Sequence, residues 1–452
     1  MSKKHQIDLT NGPILKTLAE LALPIMASAF LGTAYNITDM AWIGILGSKA
    51  VAGVGMGGMY VWLSQGLCSL ARMGGQVNVA QSCGRNDTKA AADYASASIQ
   101  LTCIFAFVFS AVCLLFTGPL LDFFHLEDAQ TYSHAVKYMK ITCGLIIFSY
   151  MNYTLTGLYT AQGDSKTPFI ANLIGLVMNM ILDPLLILGT GFFPQLEVMG
   201  AAIATVSAQL VVMLVMIAGI FWGKDNENIL KEIHLFSVSH KKIYHSICRI
   251  GVPTALQGTL YCMISMFLTR MVSAFGPGAV ATQRVGGQIE SISWNTADGF
   301  AAALNSFTAQ NYGAGKNDRI RQGYKVSLRI MVTWGLIVTA AFVLFPGQIS
   351  SLFFHEPEVL EIAVGYMIII GIGEAFMCVE MLTIGALSGL GQTKICSIIS
   401  ILLTGARIPL ALVLTKTALG LTGIWWALTL SSMAKGIVFY FAFHRISQKL
   451  DQ

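Results

Sequence analysis

Long apolar stretches, punctuated by short polar turns, leave this chain of 452 residues little choice but a bilayer. Only 11% of its residues are charged and 55% are hydrophobic, where a soluble domain carries about 25% charged residues. That deficit excludes an ordinary cytosolic enzyme, a disordered chain and a secreted disulfide scaffold. Inside hydrocarbon a backbone has to satisfy its own hydrogen bonds, so such stretches are helices. Twelve are read, over 14–43, 50–82, 88–117, 130–161, 166–189, 197–222, 243–274, 279–311, 319–345, 359–389, 394–415 and 420–443. Several exceed the roughly 20 residues that cross the membrane, so they tilt or project beyond it. The expected fold class is an all-α polytopic membrane protein. The first apolar segment is long and has no small-residue cleavage site after it, which argues against a cleaved signal.

An even number of spans puts both termini on one side. Lys89, Lys166, Lys241, Lys242, Lys316, Arg319, Arg321, Lys325, Lys394, Arg445 and Lys449 fall on that side, with Lys3, Lys4, Lys224 and Lys231. The opposite side carries acids instead, among them Asp122, Glu127, Asp128, Glu356, Glu358 and Glu361. The positive-inside rule therefore places both termini in the cytoplasm of a cell or inner membrane. The same rule accounts for the net charge of +5 without nucleic acid.

The two halves repeat at a shift of about 229 residues. Ala22-Leu23-Pro24 matches Gly251-Val252-Pro253, Ala50-Val51-Ala52 matches Ala279-Val280-Ala281, and Gly57-Gly58 matches Gly286-Gly287. Phe123-Phe124-His125 matches Phe353-Phe354-His355, "AVKYM" from Ala135 matches "AVGYM" from Ala363, and Gly163-Asp164-Ser165-Lys166 matches Gly391-Gln392-Thr393-Lys394. Six spans per copy give both copies the same orientation, so two six-helix lobes relate by an axis along the membrane normal. The expected division is an N-terminal lobe over 1–223, a cytoplasmic linker over 224–242 and a C-terminal lobe over 243–452. Two such lobes suit alternating-access transport.

At the Pro24 … Asp39 pair of the first span, "VAQSCGRND" after the second and "TAQNYGAGKND" after the eighth, "AQGDSKTP" and "NMILDP" around the fifth, and "GAAIAT" in the sixth, the chain resembles the multidrug and toxic compound extrusion (MATE) family over nearly its whole length. The rival six-plus-six architecture, the major facilitator fold, has a basic, Gly-bracketed loop after its second helix that "CGRNDTK" does not match. The resemblance implies a twelve-helix exporter of small, mostly cationic amphipathic compounds, driven by inward proton or sodium flow. A flippase or a dedicated metabolite exporter on a related fold is the alternative. An enzyme is not expected: the eight His lie mainly in loops without metal spacing and the nine Cys form no CxxC. No cofactor beyond the coupling ion, no metal beyond sodium at the coupling site, and no partner beyond substrate and lipid are expected. The expected assembly is a monomer.

Ionisable residues within spans are functional candidates by default. Asn179 and Asp183 are four apart on the fifth span, hence on one face. Pro184 cannot donate to the Met180 carbonyl, which frees a polar group beside the carboxyl. Counted from the outer ends, Asp39, Asp183 and Thr205 reach similar depths, with Tyr35 and Tyr138 close to them. Two carboxyls, an amide and a hydroxyl make an oxygen site for a proton or Na⁺. The bland alternative is that the acids only cap or hydrogen-bond neighbouring helices. In the resembled family the acid of the first span, the Asn and Asp of the fifth and the Thr of the sixth form the cation-coupling pocket. The resemblance carries that role to Asp39, Asn179, Asp183 and Thr205. Tyr35 and Tyr138 are added from depth alone, and Pro24 is the expected hinge.

In the second half the repeat places Asn179 near Arg407 and Asp183 near an apolar stretch. The expectation there is a buried ion pair of Arg407 with Glu374, or else a substrate role, with Glu290 either attracting cationic substrate or pairing with an Arg. Some family members bind sodium in this lobe through acids on the seventh and tenth spans. Tyr261, Cys262 and Met377 stand near those places here, which tilts the expected coupling ion toward the proton.

Overall fold

The computed structural model describes residues 6–124, 128–189, 194–222, 229–234, 239–354 and 356–451. Among them the chain is helix and turn, with no strand. The loop residues His125, Glu127 and His355, the terminal Lys3 and Lys4, and the linker residue Lys224 lie outside the described residues.

The twelve expected spans are all helical. They are formed by α1 (Ile14–Ile45), α2 (Ser48–Gly84), α3 (Thr88–Leu115), then, after the short α4 (Thr117–Asp122), α5 (Ala129–Gly144) with α6 (Ile147–Ala161), α7 (Lys166–Ile187) and α8 (Glu197–Trp222). The second set is α9 (Lys241–Ser273), α10 (Pro277–Gly313), α11 (Asn317–Leu344), then, after the short α12 (Pro346–Ser351), α13 (Pro357–Gly389), α14 (Thr393–Gly405) with α15 (Arg407–Leu414), and α16 (Leu421–Gln448). Even the two short helices repeat: α4 and α12 begin at equivalent positions of the two copies. By length and apolarity nine spans qualify among the described residues, ten when the bent pair α5–α6 counts as one. The remaining two, α2 and α10, are 37 residues each but interrupt their apolar runs with Gly, Gln, Ser and charges.

Two spans read as continuous are broken. α5 and α6 meet at 47°. There the Gly144 carbonyl is taken by the Ser110 hydroxyl at 2.9 Å, and a side chain inserted into the helical ladder is a physical cause of such a bend. α14 gives way to α15 at Ala406, immediately before the buried Arg407.

The compact units do not divide at the linker. One comprises Met1–Ile7 and Ala27–Ala255, the other Asp8–Met26 and Leu256–Gln452. The boundaries thus fall inside α1 and α9, in each case two residues after the repeated prolines Pro24 and Pro253. The described part of the linker packs on the first unit: Ile229 and Leu230 are buried, and the Ile229 N–H donates to Gln162 Oε1 at 3.3 Å. The start of α9 joins it there, with the Ser246 hydroxyl on Asn78 Oδ1 at 2.9 Å and the Tyr244 hydroxyl on Gln100.

In the second unit the segment before α1 is strapped to the α10–α11 turn. Asn311 Nδ2 donates to the Leu9 carbonyl at 3.0 Å, Lys316 Nζ to that of Thr10 at 2.9 Å, and Arg319 to those of Asn11 and Gly12 at 2.8 and 2.9 Å. Asp8 turns this strap. Burial pushes its carboxyl up, but hydrogen bonds from Asn11 and Thr10 outweigh that and hold it below the ordinary carboxylate range.

Candidate functional site

The site lies within the first unit. α1 contributes Tyr35 and Asp39 one turn apart, α7 contributes Asn179 and Asp183 one turn apart, α8 contributes Thr205 and α5 contributes Tyr138. Helical spacing of four residues aims each pair at the same side. The wall around them is apolar: Ile43, Ala50, Val54, Ile187, Val198, Ala201 and Ala202 form one buried cluster with Tyr138.

Inside that wall the polar groups converge. Asn179 and Asp183 are fully buried and Asp39 is 6% exposed. Asn179 Nδ2 donates to Asp183 Oδ1 at 3.1 Å. Asp39 lies within electrostatic reach of Asp183, Tyr35 and Tyr138, and both phenols approach the Thr205 hydroxyl. Yet five buried oxygens, Tyr35 Oη, Asp39 Oδ1, Asn179 Oδ1, Asp183 Oδ2 and Thr205 Oγ1, have no hydrogen-bond partner at good geometry among the described residues. Buried polar atoms are ordinarily paired. Five such orphans on three helices, two of them carboxyl oxygens, make this cluster the candidate oxygen site of the unit. Of the two tyrosines chosen from depth alone, Tyr35 is one of them, and Tyr138 of α5 stands beside Asp39 and Thr205.

The second unit departs from expectation. Arg407 does not pair with Glu374. Its Nε donates to the Ser431 hydroxyl and its Nη2 to that of Ser432, each at 3.1 Å. Arg407 begins α15 beside α16, and these hydroxyls lie within its reach where Glu374, on α13, does not. Its charged neighbour is Glu290 of α10. The buried ion pair of this unit is one that sequence reasoning missed: Lys435 Nζ to Glu380 Oε1 at 2.7 Å, with both residues at least nine-tenths buried. Two opposite charges in apolar spans were the available signal, but nothing in their spacing said that α13 and α16 meet there. The expected hinge, Pro24, sits within α1, which continues through it.

Comparison with known proteins identifies the family. The MatE family profile matches residues 24–185 and 253–413, once in each half of the duplication. The probable multidrug resistance protein NorM of Thermotoga maritima is 30% identical over 426 residues, covering 91% of this chain and 88% of that protein. The FAD transporter of Shewanella oneidensis is 24% identical, covering 98% of each. Among solved structures, that of a MATE protein in its bent conformation superposes with a TM-score of 0.91 at 23% identity, covering 100% of this chain and 99% of that one. That likeness establishes the two-lobed fold of twelve helices, and the profile and the NorM relative establish the lineage. This multi-pass membrane protein belongs to the MatE family, the multidrug and toxic compound extrusion transporters.

Proposed function

We propose that the chain exports amphipathic, mostly cationic compounds across the cell membrane, with both termini in the cytoplasm, and that an inward-moving proton or sodium ion at Asp39 and Asp183 drives the export. The carrying observation is the cluster of five unpartnered oxygens, two of them on the buried carboxyls Asp39 and Asp183. Two carboxylates this close in an apolar wall repel one another and lack solvent, so both stay charged only with a cation between them. A proton on one of them, or a sodium ion held by both, removes that cost. Asn179 orients Asp183 through its amide, and the hydroxyls of Thr205, Tyr35 and Tyr138, grouped with one another beside the carboxyls, can turn toward whichever ion arrives.

Ion uptake draws Asp39 of α1 toward Asp183 of α7. α1 is built to answer: Pro24 lacks an N–H, so the Glu20 carbonyl has no helical donor and the helix bends there at reduced cost. Bending α1 while the ion is held, and straightening it on release, is the alternating-access step we assign to this helix. Mass action then works in both directions: an ion that weakens substrate binding is itself weakened by substrate.

The test is ethidium transport in proteoliposomes under a pH gradient or a sodium gradient imposed separately, with Asp39→Asn beside the wild type. Transport that follows either gradient and vanishes in the variant supports the reading, and which gradient works names the ion. Undiminished transport by Asp39→Asn overturns it. The relationship to an FAD transporter supports a second reading, export of one anionic metabolite. Movement of FAD with no movement of dye under either gradient would favour it.

A further inference from the structure

The first unit's carboxyls are explained by an oxygen site; one carboxyl of the second unit is not. Glu374 lies on α13, a deeply embedded helix of its unit, and is 1% exposed. Its Oε2 has no hydrogen-bond partner among the described residues. The groups around it are few. On α10, one helical turn apart, stand Glu290, its main charged neighbour, and Ser293, whose hydroxyl faces it. On α13 itself stand Cys378, one turn on and 4.0 Å from the Ser293 hydroxyl, and Tyr366. Tyr366 offers its hydroxyl to Glu290 and packs edge-on against Trp425 of α16 at 5.0 Å. Tyr261 of α9 completes the set through Glu290.

The charges of this interior do not balance around Glu374. Three carboxyls, Glu290, Glu374 and Glu380, face two cations. Lys435 is held by Glu380 at 2.7 Å. Arg407 is held by two serine hydroxyls and has Glu290 as its acid. Glu374 is left with a hydroxyl, a thiol and a like charge. A carboxylate without counter-charge is not kept in such a place; it is neutralised. A metal ion would find only Glu374, Glu290 and Ser293 as ligands, and would set a further positive charge beside Arg407. A proton needs no additional ligand.

We propose that Glu374, flanked by Glu290 and Ser293, is a proton-binding site of the second unit, separate from the Asp39–Asp183 site. In a proton-driven cycle it would be a second carrier, and that consequence alone rests on the function proposed above. The test does not require transport. Full-length protein in lipid, carrying glutamate labelled with ¹³C at the side-chain carboxyl, is examined by infrared spectroscopy over a pH series. At neutral pH a free-acid carbonyl band should shift with the label, which separates glutamate from aspartate. It should be lost in Glu374→Gln and kept in Asp39→Asn. In Glu290→Gln, which removes the like charge, the band should persist but titrate away at lower pH than in the wild type. Absence of any label-sensitive free-acid band at neutral pH overturns the proposal, as does a band that survives Glu374→Gln. If Glu374→Gln fails to fold, the shift in Glu290→Gln decides: an unchanged midpoint, or loss of the band at every pH, overturns it equally.

Discussion

Leu268 stands in the second copy of the repeat where Asp39 stands in the first, and Ala411 where Asp183 stands. Their surroundings were kept. Ile43, Ala50 and Val198 of the first unit's cluster correspond to Val272, Ala279 and Ala427 of the second's, and Leu268 and Ala411 are part of that second cluster. One unit gathers buried polar oxygens inside an apolar wall; the other has apolar side chains at the equivalent places. Its carboxyls lie elsewhere, on α10 and α13. One group spans both arrangements. Tyr138 and its equivalent Tyr366 each pack on a repeated glycine, Gly57 or Gly286, and each lies beside its unit's acids. Packing was duplicated and preserved, whereas charge was reassigned. That is the expected order when a core tolerates apolar exchange but a buried charge survives only with a partner or a use.

The sharpest way to break this comparison is to move the charge across it. Leu268→Asp puts a carboxyl into the apolar cluster of Leu268, Val272, Ala279 and Ala411. It should destabilise the protein by about 3–5 kcal/mol, read as a loss of folded yield and a lower Tm. Asp39→Asn, at the equivalent site, should abolish gradient-driven ethidium transport while Tm holds or rises, because an unpaired buried charge becomes neutral. Equal destabilisation by both would mean that Asp39 is structural.

Lys435→Met tests the reassigned charge. It strands Glu380 and should cost about 3–5 kcal/mol, whereas Lys435→Met with Glu380→Leu should recover most of that. A double variant as unstable as the single one would deny that the two residues act as a pair. The glycines come next. A Cβ at Gly286 would strike the Tyr366 ring, while one at Gly57 would stand 3.1 Å from the Ala135 carbonyl and 3.3 Å from the Tyr138 ring. Gly286→Ala should therefore cost about 1–3 kcal/mol and Gly57→Ala less, measured by thermal unfolding.

The smallest effect is at the solvent-facing start of α5. Asp128 caps this helix, accepting from the Thr131 N–H at 2.8 Å and from Lys49 Nζ at 2.7 Å. The Lys49 contact, with the Thr131 bonds, holds its carboxyl down at about 2. A depressed carboxyl stabilises the folded state above its ordinary value and loses that contribution as pH falls through its folded value. Protection of the amides at the start of α5, taken relative to their intrinsic exchange at each pH, should thus fall as pH drops from about 4 toward 2. Glu356, the equivalent cap of α13, makes no such bond, and Gly278 replaces Lys49. Acid should leave the start of α13 unchanged. Similar loosening at both would remove this distinction between the units.

The spans, the duplication and the grouping of the first unit's candidate residues were legible because each leaves a linear trace. Apolar runs give the spans, a fixed shift gives the copies, and Asn179 with Asp183 gives one face of one helix. Tyr35 and Tyr138 were reachable by counting depth, since position along a spanning helix converts directly to height in the membrane. The Arg407–Glu374 pair was misread for the same reason. Similar depth says nothing about azimuth, and Arg407 turned to α16 instead.

By itself the sequence determined that the chain is a twelve-span duplicated transporter with acids confined to a few levels of the membrane, because hydropathy and repeat period depend on residue order alone. Tertiary structure decided which charges meet: Lys435 with Glu380, Arg407 with two serines, Glu374 with Glu290 and no cation among the described residues. It also decided that the compact units exchange chain within α1 and α9 rather than at the linker. Those outcomes rest on the rotation and packing of one helix against the next, set by shape over many weak contacts.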